Sequence, residues 1–437
     1  MPRKLFGTDG VRGVAGDFLS AELALALGRG AASVSPAKAP QVLIVRDTRE
    51  SGEMLESALA AGVAAAGGHA LLGGVLPTPG AALLVRRYGF DLAAVVSASH
   101  NPYRDNGIKF FGPEGMKLSD DDERMVEESV VHAPEPGRPG RVRELHAAGA
   151  DYLRELHSRF KDLDLSGTRV VLDCANGATY RVAPEVFRRL GADVTTLAAS
   201  PDGRNINDGC GSTHMAHVAG AVREGDFDLG FAFDGDGDRV LAVDRHGEVV
   251  DGDELIALAA LHLRKAGRLP GNGVAVTVMT NFGFHQAMEA AGIEVATTPV
   301  GDRSVLAELM TRGWALGGEQ SGHVIETGFV PSGDGLAAAL LLLESLGGRD
   351  LADRDAMHRL PQRLVNVRVA DRDALEGSAE VWEAVEREEQ ALDGRGRVLL
   401  RPSGTEPLVR VMVEAPDEVE CEEIAGRLVA TVEQQLV

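Results

Sequence analysis

The sequence predicts an α/β protein: three similar α/β units with mixed, mainly parallel sheets, then a smaller C-terminal α+β unit. Three observations carry this expectation. The chain has 437 residues, beyond the length at which a single core keeps growing. A helix rich in Ala and Leu, a Gly suited to a left-handed helix end and a β-rich stretch occur in succession three times, at Ala64 to Leu72, Arg188 to Val194 and Glu289 to Val295. Each recurrence lies beside a near-continuous apolar run, Val42 to Val45, Val170 to Leu172 and Val274 to Val278, as expected of strands buried on both faces.

In chain order, the expected divisions are 1–152, 153–250, 251–363 and 364–437. Pro136 to Gly140 reads as a surface loop near the end of the first. In the last, Leu364 to Val369, Val398 to Leu400 and Leu408 to Val413 read as strands without the helix-Gly-strand rhythm. A helix follows from about Glu418, with Val419, Ile424, Leu428 and Val432 expected on one apolar stripe.

Composition excludes several function classes. Lys and Arg number 44 against 66 Asp and Glu, so the long-range field repels nucleic acid and anionic membranes, and neither is an expected partner. The apolar run Leu336 to Leu343 is far short of the ~20 residues a bilayer requires. The first ten residues reach Gly and Asp before an apolar stretch develops, unlike a signal peptide. Cys174, Cys210 and Cys421 are odd in number and widely spaced, which suits a reducing cytoplasm rather than a zinc or disulfide framework.

The sharpest chemical signal is Asp234-Gly235-Asp236-Gly237-Asp238-Arg239, at the end of the apolar segment Leu229 to Phe233. Carboxylates at every second position, separated by glycines, let the backbone curl until their oxygens face one centre. That much negative charge calls for a cation. An acidic surface turn explains one Asp-Gly pair but not three in register. A calcium EF-hand would need Gly and Glu where this chain has Arg239 and Arg245. Oxygen-only ligands favour a hard ion such as Mg²⁺.

Ser97-Ala98-Ser99-His100-Asn101-Pro102, with Asp105 to Lys109 after it, follows the apolar strand Leu92 to Val96. Ligands bind at such carboxyl ends of strands, so Ser99 is a candidate nucleophile, although a Ser-rich turn is as good a reading of this segment alone. Adjacent Ser99 and His100 would point to opposite sides of an extended chain, so their adjacency does not suggest a Ser-His dyad. Arg401-Pro402-Ser403-Gly404-Thr405-Glu406-Pro407 with Arg410 supplies guanidinium forks, hydroxyls and backbone amides for a phosphate. Gly317 to His323 offers Glu319, Gln320, Ser321 and His323, groups that can hydrogen-bond sugar hydroxyls. Thr8 to Gly13 and Pro299 to Arg303 are Gly loops with an Arg, each facing phosphate or solvent.

In this order the segments resemble the α-D-phosphohexomutase superfamily over the full chain. The resemblance rests on Leu5 to Gly13, Ser99 to Pro102, Asp202 to Asn207 with Cys210 to His214, Asp234 to Asp238, Gly318 to His323 and the Arg401 to Arg410 loop. It implies four domains around a central cleft and an isomerase that moves a phosphoryl group between C6 and C1 of a hexose phosphate. Ser99 would be the phosphorylated residue and, with Asp234, Asp236 and Asp238, a ligand of one Mg²⁺. Arg12, Lys109 and His323 would serve proton transfer and charge stabilisation. Arg239, Glu319 and Ser321 would contact substrate, and Arg401, Ser403, Gly404, Thr405 and Arg410 would hold the phosphate that is not transferred. Gln320 between Glu319 and Ser321 resembles the branch that acts on an amino-sugar phosphate, whereas relatives acting on mannose and glucose phosphates typically carry Met there. The same resemblance implies glucosamine 1,6-bisphosphate or glucose 1,6-bisphosphate as primer, a place before UDP-N-acetylglucosamine synthesis, and a homodimer.

Overall fold

The structure is a computed structural model that describes residues 5–131, 138–403 and 406–437. The chain divides into two compact units, one of Met1–Val278 with Ala296–Arg354, the other of Met279–Val295 with Asp355–Val437.

The chain builds successive sheets. The first comprises β1 (Val11–Val14), β2 (Gln41–Arg46), β3 (His69–Val75), β4 (Leu92–Val96), β5 (Asp105–Phe111) and β6 (Val142–Glu144), in the order β1-β5-β4-β2-β3-β6. Pairing is parallel from β4 through β2 and β3 to β6, while β5 runs antiparallel to both β4 and β1. All five residues of β4 are buried, the signature of a strand covered on both faces. Helices Ala21–Val34 and Gly52–Ala65 cover one face, and Leu27, Leu55 and Leu59 join Val42, Ile44 and Val96 in one core.

The second sheet comprises β7 (Arg169–Asp173), β8 (Asp193–Leu197), β9 (Leu229–Phe233), β10 (Val240–Asp244) and β11 (Val249–Val250), in the order β11-β10-β9-β7-β8. The strands β8, β7 and β9 are parallel, and β10 returns antiparallel to β9. The third has β12 (Gly273–Thr277), β13 (Glu294–Thr298), β14 (Leu316–Gly318) and β15 (Val324–Glu326), in the order β13-β12-β14-β15. Here β12 and β14 are parallel, and β14 and β15 antiparallel. The three recurrent glycines, Gly67, Gly191 and Gly292, have φ of 92°, 99° and 64°. Each turns a helix end directly into the following strand.

The smaller unit contains β16 (Gln362–Arg368), β17 (Arg397–Pro402) and β18 (Leu408–Glu414), an antiparallel sheet in the order β16-β18-β17. Helices Ala379–Leu392 and Glu418–Leu436 share its core. Val419 departs from its expected place and is 68% exposed. Five residues before Ile424 is about 140° round a helix of 3.6 residues per turn, so the buried stripe is Cys421, Ile424, Ala425, Leu428, Val432 and Leu436.

Of the expected Pro136 to Gly140 loop, Pro136 and Gly137 lie outside the described residues, and Arg138 to Gly140 form neither helix nor strand. The Leu336 to Leu343 run lies in the buried helix Gly335–Leu346. Among the described residues no helix is long and apolar enough to cross a membrane. The three cysteines are buried and free.

Candidate active site

Ser99 stands in the loop between β4 and β5 and is 2% exposed. Its φ is 52°, a left-handed conformation that costs a non-Gly residue ~1–2 kcal/mol. This corrects the expectation of an extended chain, because the left-handed turn brings Ser99 Oγ to 3.2 Å from His100 Nδ1. The Ser99 hydroxyl donates to Asp234 Oδ2 at 2.6 Å. Burial first, then Arg239 and Arg12, lower the His100 pKa and keep its ring neutral.

The Asp motif forms the turn between the antiparallel strands β9 and β10. Asp234, Asp236 and Asp238 are buried, and one oxygen from each lies within 4.8 Å of the others. Burial, then Asp238 and Asp236, push the Asp234 carboxyl well above its usual range. Asp236 Oδ1 and Asp238 Oδ1 are buried with no hydrogen-bond partner among the described residues. Such orphaned carboxylate oxygens are costly, and a divalent cation satisfies them, so these residues fit a hard metal ion. Gly235 lets the two loops meet: a Cβ there would lie 2.5 Å from Ser99 O and 2.8 Å from Asn207 Nδ2.

Cations surround this acid cluster. Lys109 Nζ, 1% exposed, sits 2.9 Å from Asp236 Oδ2, 3.1 Å from Asp9 Oδ2 and 3.8 Å from Asp238 Oδ2. Burial opposes its charge, but Asp236, Asp9 and Asp238 outweigh burial and raise its pKa. Asp9 also meets Lys117 Nζ at 2.5 Å, and Lys117 meets Asp302 Oδ2 at 2.5 Å. Asp302 Oδ2 lies 3.9 Å from His323 Nε2, and His323 Nδ1 lies 3.7 Å from Asp238 Oδ1. Lys109, Asp9, Lys117, Asp302, His323 and Asp238 therefore close a ring whose signs alternate when His323 is protonated.

Burial disfavours charge on His323, while Asp238 and then Asp302 favour it and raise its pKa. The Gly333 amide donates to Nε2 at 3.1 Å, so a neutral ring holds its proton on Nδ1, toward Asp238. Arg12, on β1, donates to Ala98 O at 3.5 Å and pairs with Asp9. Arg239 Nε, 3.8 Å from Asp238 Oδ1, is buried with no hydrogen-bond partner among the described residues.

Glu319 and Ser321 lie in the turn between β14 and β15, where Glu319 Oε1 accepts from the Gly301 amide at 3.1 Å and Ser321 is exposed. In the smaller unit, Arg401 and Arg410 stand directly opposite each other on β17 and β18. Burial, then Arg410, lower the Arg401 pKa, and Arg410 Nε is buried with no hydrogen-bond partner among the described residues. Like charges so paired oppose the sheet, and an anion would relieve them. Ser403 closes that loop, its amide donating to Leu408 O at 2.8 Å. Gly404 and Thr405 lie outside the described residues.

Asp9, Asp47, Arg49, His100, Lys117 and Asn207 join the site without having stood among the residues the sequence singles out for a role. Asp9 lies inside the Leu5 to Gly13 segment, and Asp47-Thr48-Arg49-Glu50 follows an apolar strand, the same cue that marks Ser99. Nothing local in sequence marks Lys117, whose partner Asp302 is 185 positions away.

Comparison with known proteins bears on the whole chain. The phosphoglucomutase/phosphomannomutase family matches in four parts: alpha/beta/alpha domain I at residues 3–136, domain II at 150–247, domain III at 251–363 and the C-terminal domain at 364–431. A phosphoglucosamine mutase of Desulforudis audaxviator is 51% identical over 439 residues, covering 98% of this chain and 97% of its own. One of Moorella thermoacetica is 51% identical over 437 residues, covering 97% and 98%. A crystal structure of a phosphoglucomutase/phosphomannomutase family protein of Burkholderia thailandensis shares the fold, with a TM-score of 0.82 at 24% identity over 99% of this chain and 97% of that one.

Proposed function

The chain belongs to the phosphoglucomutase/phosphomannomutase family, and we propose that within it the protein interconverts glucosamine 6-phosphate and glucosamine 1-phosphate. The observation that carries this reading is Ser99 Oγ hydrogen-bonded at 2.6 Å to Asp234 of a buried acid triplet, beside the buried Lys109 ammonium. The names of the half-identical, full-length relatives support the amino-sugar substrate, as does Gln320 in the Glu319 to Ser321 turn.

In the proposed cycle phosphorylated Ser99 transfers its phosphoryl group to the C1 hydroxyl of glucosamine 6-phosphate. The Oγ–P bond breaks, the C1 O–P bond forms, and the hydroxyl proton passes to a base. The bisphosphate turns over, returns its C6 phosphoryl group to Ser99, and leaves as glucosamine 1-phosphate after the C6 oxygen regains a proton. Mg²⁺ held by Asp234, Asp236, Asp238 and the Ser99 phosphate would neutralise phosphoryl oxygens.

Lys109, held charged by its acidic neighbours, stabilises charge rather than accepting a proton, and Arg12 and Arg239 add to it. His323 exchanges the sugar proton, and neutral His100 faces the Ser99 oxygen. Glu319 and Ser321 hold sugar hydroxyls, while Arg401, Ser403, Gly404, Thr405 and Arg410 hold the phosphate at rest. The four family matches support a division into four domains at 1–152, 153–250, 251–363 and 364–437. Priming by glucosamine 1,6-bisphosphate or glucose 1,6-bisphosphate, a homodimeric assembly and a cytoplasmic location complete the reading, the last supported by buried free thiols.

A coupled assay for glucosamine 1-phosphate with bisphosphate primer tests it. Ser99→Ala should lose nearly all turnover, and glucosamine phosphates should outpace glucose and mannose phosphates. If most radiolabel from phosphorylated Ser99 reaches inorganic phosphate at saturating sugar phosphate, the protein is a phosphatase.

A further inference from the structure

Arg49 is 1% exposed and belongs to no part of the reaction described above. Its guanidinium has five N–H donors, and every one is used. Nε donates to Asp47 Oδ2 at 2.9 Å. One terminal nitrogen donates to Pro102 O and, at 3.0 Å, to Asp105 O, while the other donates to Ser99 O at 3.0 Å and Asn101 O at 2.8 Å. The Ser99 to Asp105 loop is thus wrapped round one buried guanidinium, which reads main-chain carbonyls rather than side chains.

Its neighbours grip the same loop. Asp47 Oδ2 accepts from Ser97 Oγ at 2.6 Å, and Ser97 Oγ accepts from the Ser99 amide at 2.9 Å. From the other sheet, Asn207 Nδ2 donates to Ser99 O at 2.9 Å and Asn101 O at 3.1 Å. Thr48 Oγ1 donates to Asn176 O at 2.5 Å and the Glu50 amide to Gly203 O at 2.9 Å. The Asp47 to Glu50 turn therefore ties the serine loop to the loops that follow β7 and β8.

We infer that Arg49 is the positioning residue that holds Ser99 in its left-handed conformation, with Asn207 as the second hand on the same carbonyl. A left-handed serine is unfavourable on its own and persists where surroundings over-determine it. The conformation aims Oγ at Asp234, so the clamp sets the line along which the phosphoryl group leaves and returns. Lysine cannot replace it, because an ammonium has three donors and no planar fork.

The inference rests on Ser99 as the phosphorylated residue, and the test separates the two. Full-length Arg49→Lys, Asn207→Ala and Ser99→Ala are assayed with glucosamine 6-phosphate and glucose 1,6-bisphosphate, with kcat normalised to phosphoserine content by intact mass and Tm measured in parallel. Misplacing a reacting group by 1 Å costs about 10²-fold, so normalised kcat of Arg49→Lys should fall about 10²-fold with KM within about threefold. Asn207→Ala, which removes one of two donors to the same carbonyl, should fall about tenfold by the same argument. A purely structural role would lower Tm and the active fraction but leave normalised kcat unchanged. Folded Arg49→Lys with near-parental normalised kcat overturns the inference. If Arg49→Lys does not fold, unchanged normalised kcat in Asn207→Ala overturns it. Turnover surviving in Ser99→Ala would instead overturn the phosphoserine assignment.

Discussion

Lys109 Nζ lies 2.9 Å from Asp236 Oδ2, and both side chains are 1% exposed. This ion pair has almost no water to screen it, so removing Lys109 leaves the buried Asp236 carboxylate without its cation, a change that costs ~3–5 kcal/mol. Lys109→Met should lower kcat by at least ~10²-fold, since it removes a charge that stabilises the transferring group. Apparent Mg²⁺ affinity should hold or tighten, because a competing cation has left the carboxylates. Metal titration of activity and of Tm checks this, and a large loss of metal affinity would contradict it.

Arg401 and Arg410 face each other across β17 and β18, a placement that opposes the sheet by ~0.2–1 kcal/mol. Arg410→Ala should therefore leave Tm unchanged or slightly higher while KM for the sugar phosphate rises at least tenfold and kcat falls. Steady-state kinetics and thermal unfolding test the two halves independently, and an unchanged KM would remove this pair from substrate binding.

Gly235 should tolerate no side chain, given the 2.5 Å approach to Ser99 O. Gly235→Ala should push the serine loop away from the acid triplet and reduce kcat more than ~10-fold, the scale of small misplacements. Near-parental kcat would mean that the loops have slack at this point.

Asp334 caps the helix Gly335–Leu346, accepting from the Ala337 amide at 2.9 Å, and accepts from Tyr152 Oη at 2.9 Å. Burial pushes its carboxyl up to about 6 against those hydrogen bonds. The folded state thus keeps this proton to higher pH than the unfolded chain, whose Asp titrates near ~3.9. Stability is lost as pH rises from about 4 to about 6, and the loss persists above. Asp334→Asn should match the parent at pH ~4 and exceed it by up to ~3 kcal/mol at pH ~7.5, at 1.36 kcal/mol per pKa unit. Urea unfolding at both pH values decides it, and a constant difference would refute the assignment.

What the sequence made legible was whatever chemistry repeats locally. Alternation of Asp and Gly over Asp234 to Asp238 announced convergent carboxylates, and apolar runs marked β2, β7 and β12. Arg49 was not legible, because its partners are main-chain carbonyls, which every residue possesses. The Ser99 to His100 contact was hidden by a positive φ that propensity does not assign to serine. Val419 escapes the stripe because five residues before Ile424 is about 140° round the helix, an angle that an apolar pattern alone does not reveal.

The ring through Lys109, Asp9, Lys117, Asp302, His323 and Asp238 also constrains how this sequence can drift. Each member faces two neighbours in the ring, so one replacement disturbs the charge balance on both sides and favours a compensating replacement beside it. Lys117→Gln and Asp302→Asn should each be more harmful alone than together, a coupling of ~0.5–3 kcal/mol in a double-mutant cycle. Distant relatives should have changed these two positions jointly, leaving a paired signature across 185 residues of chain.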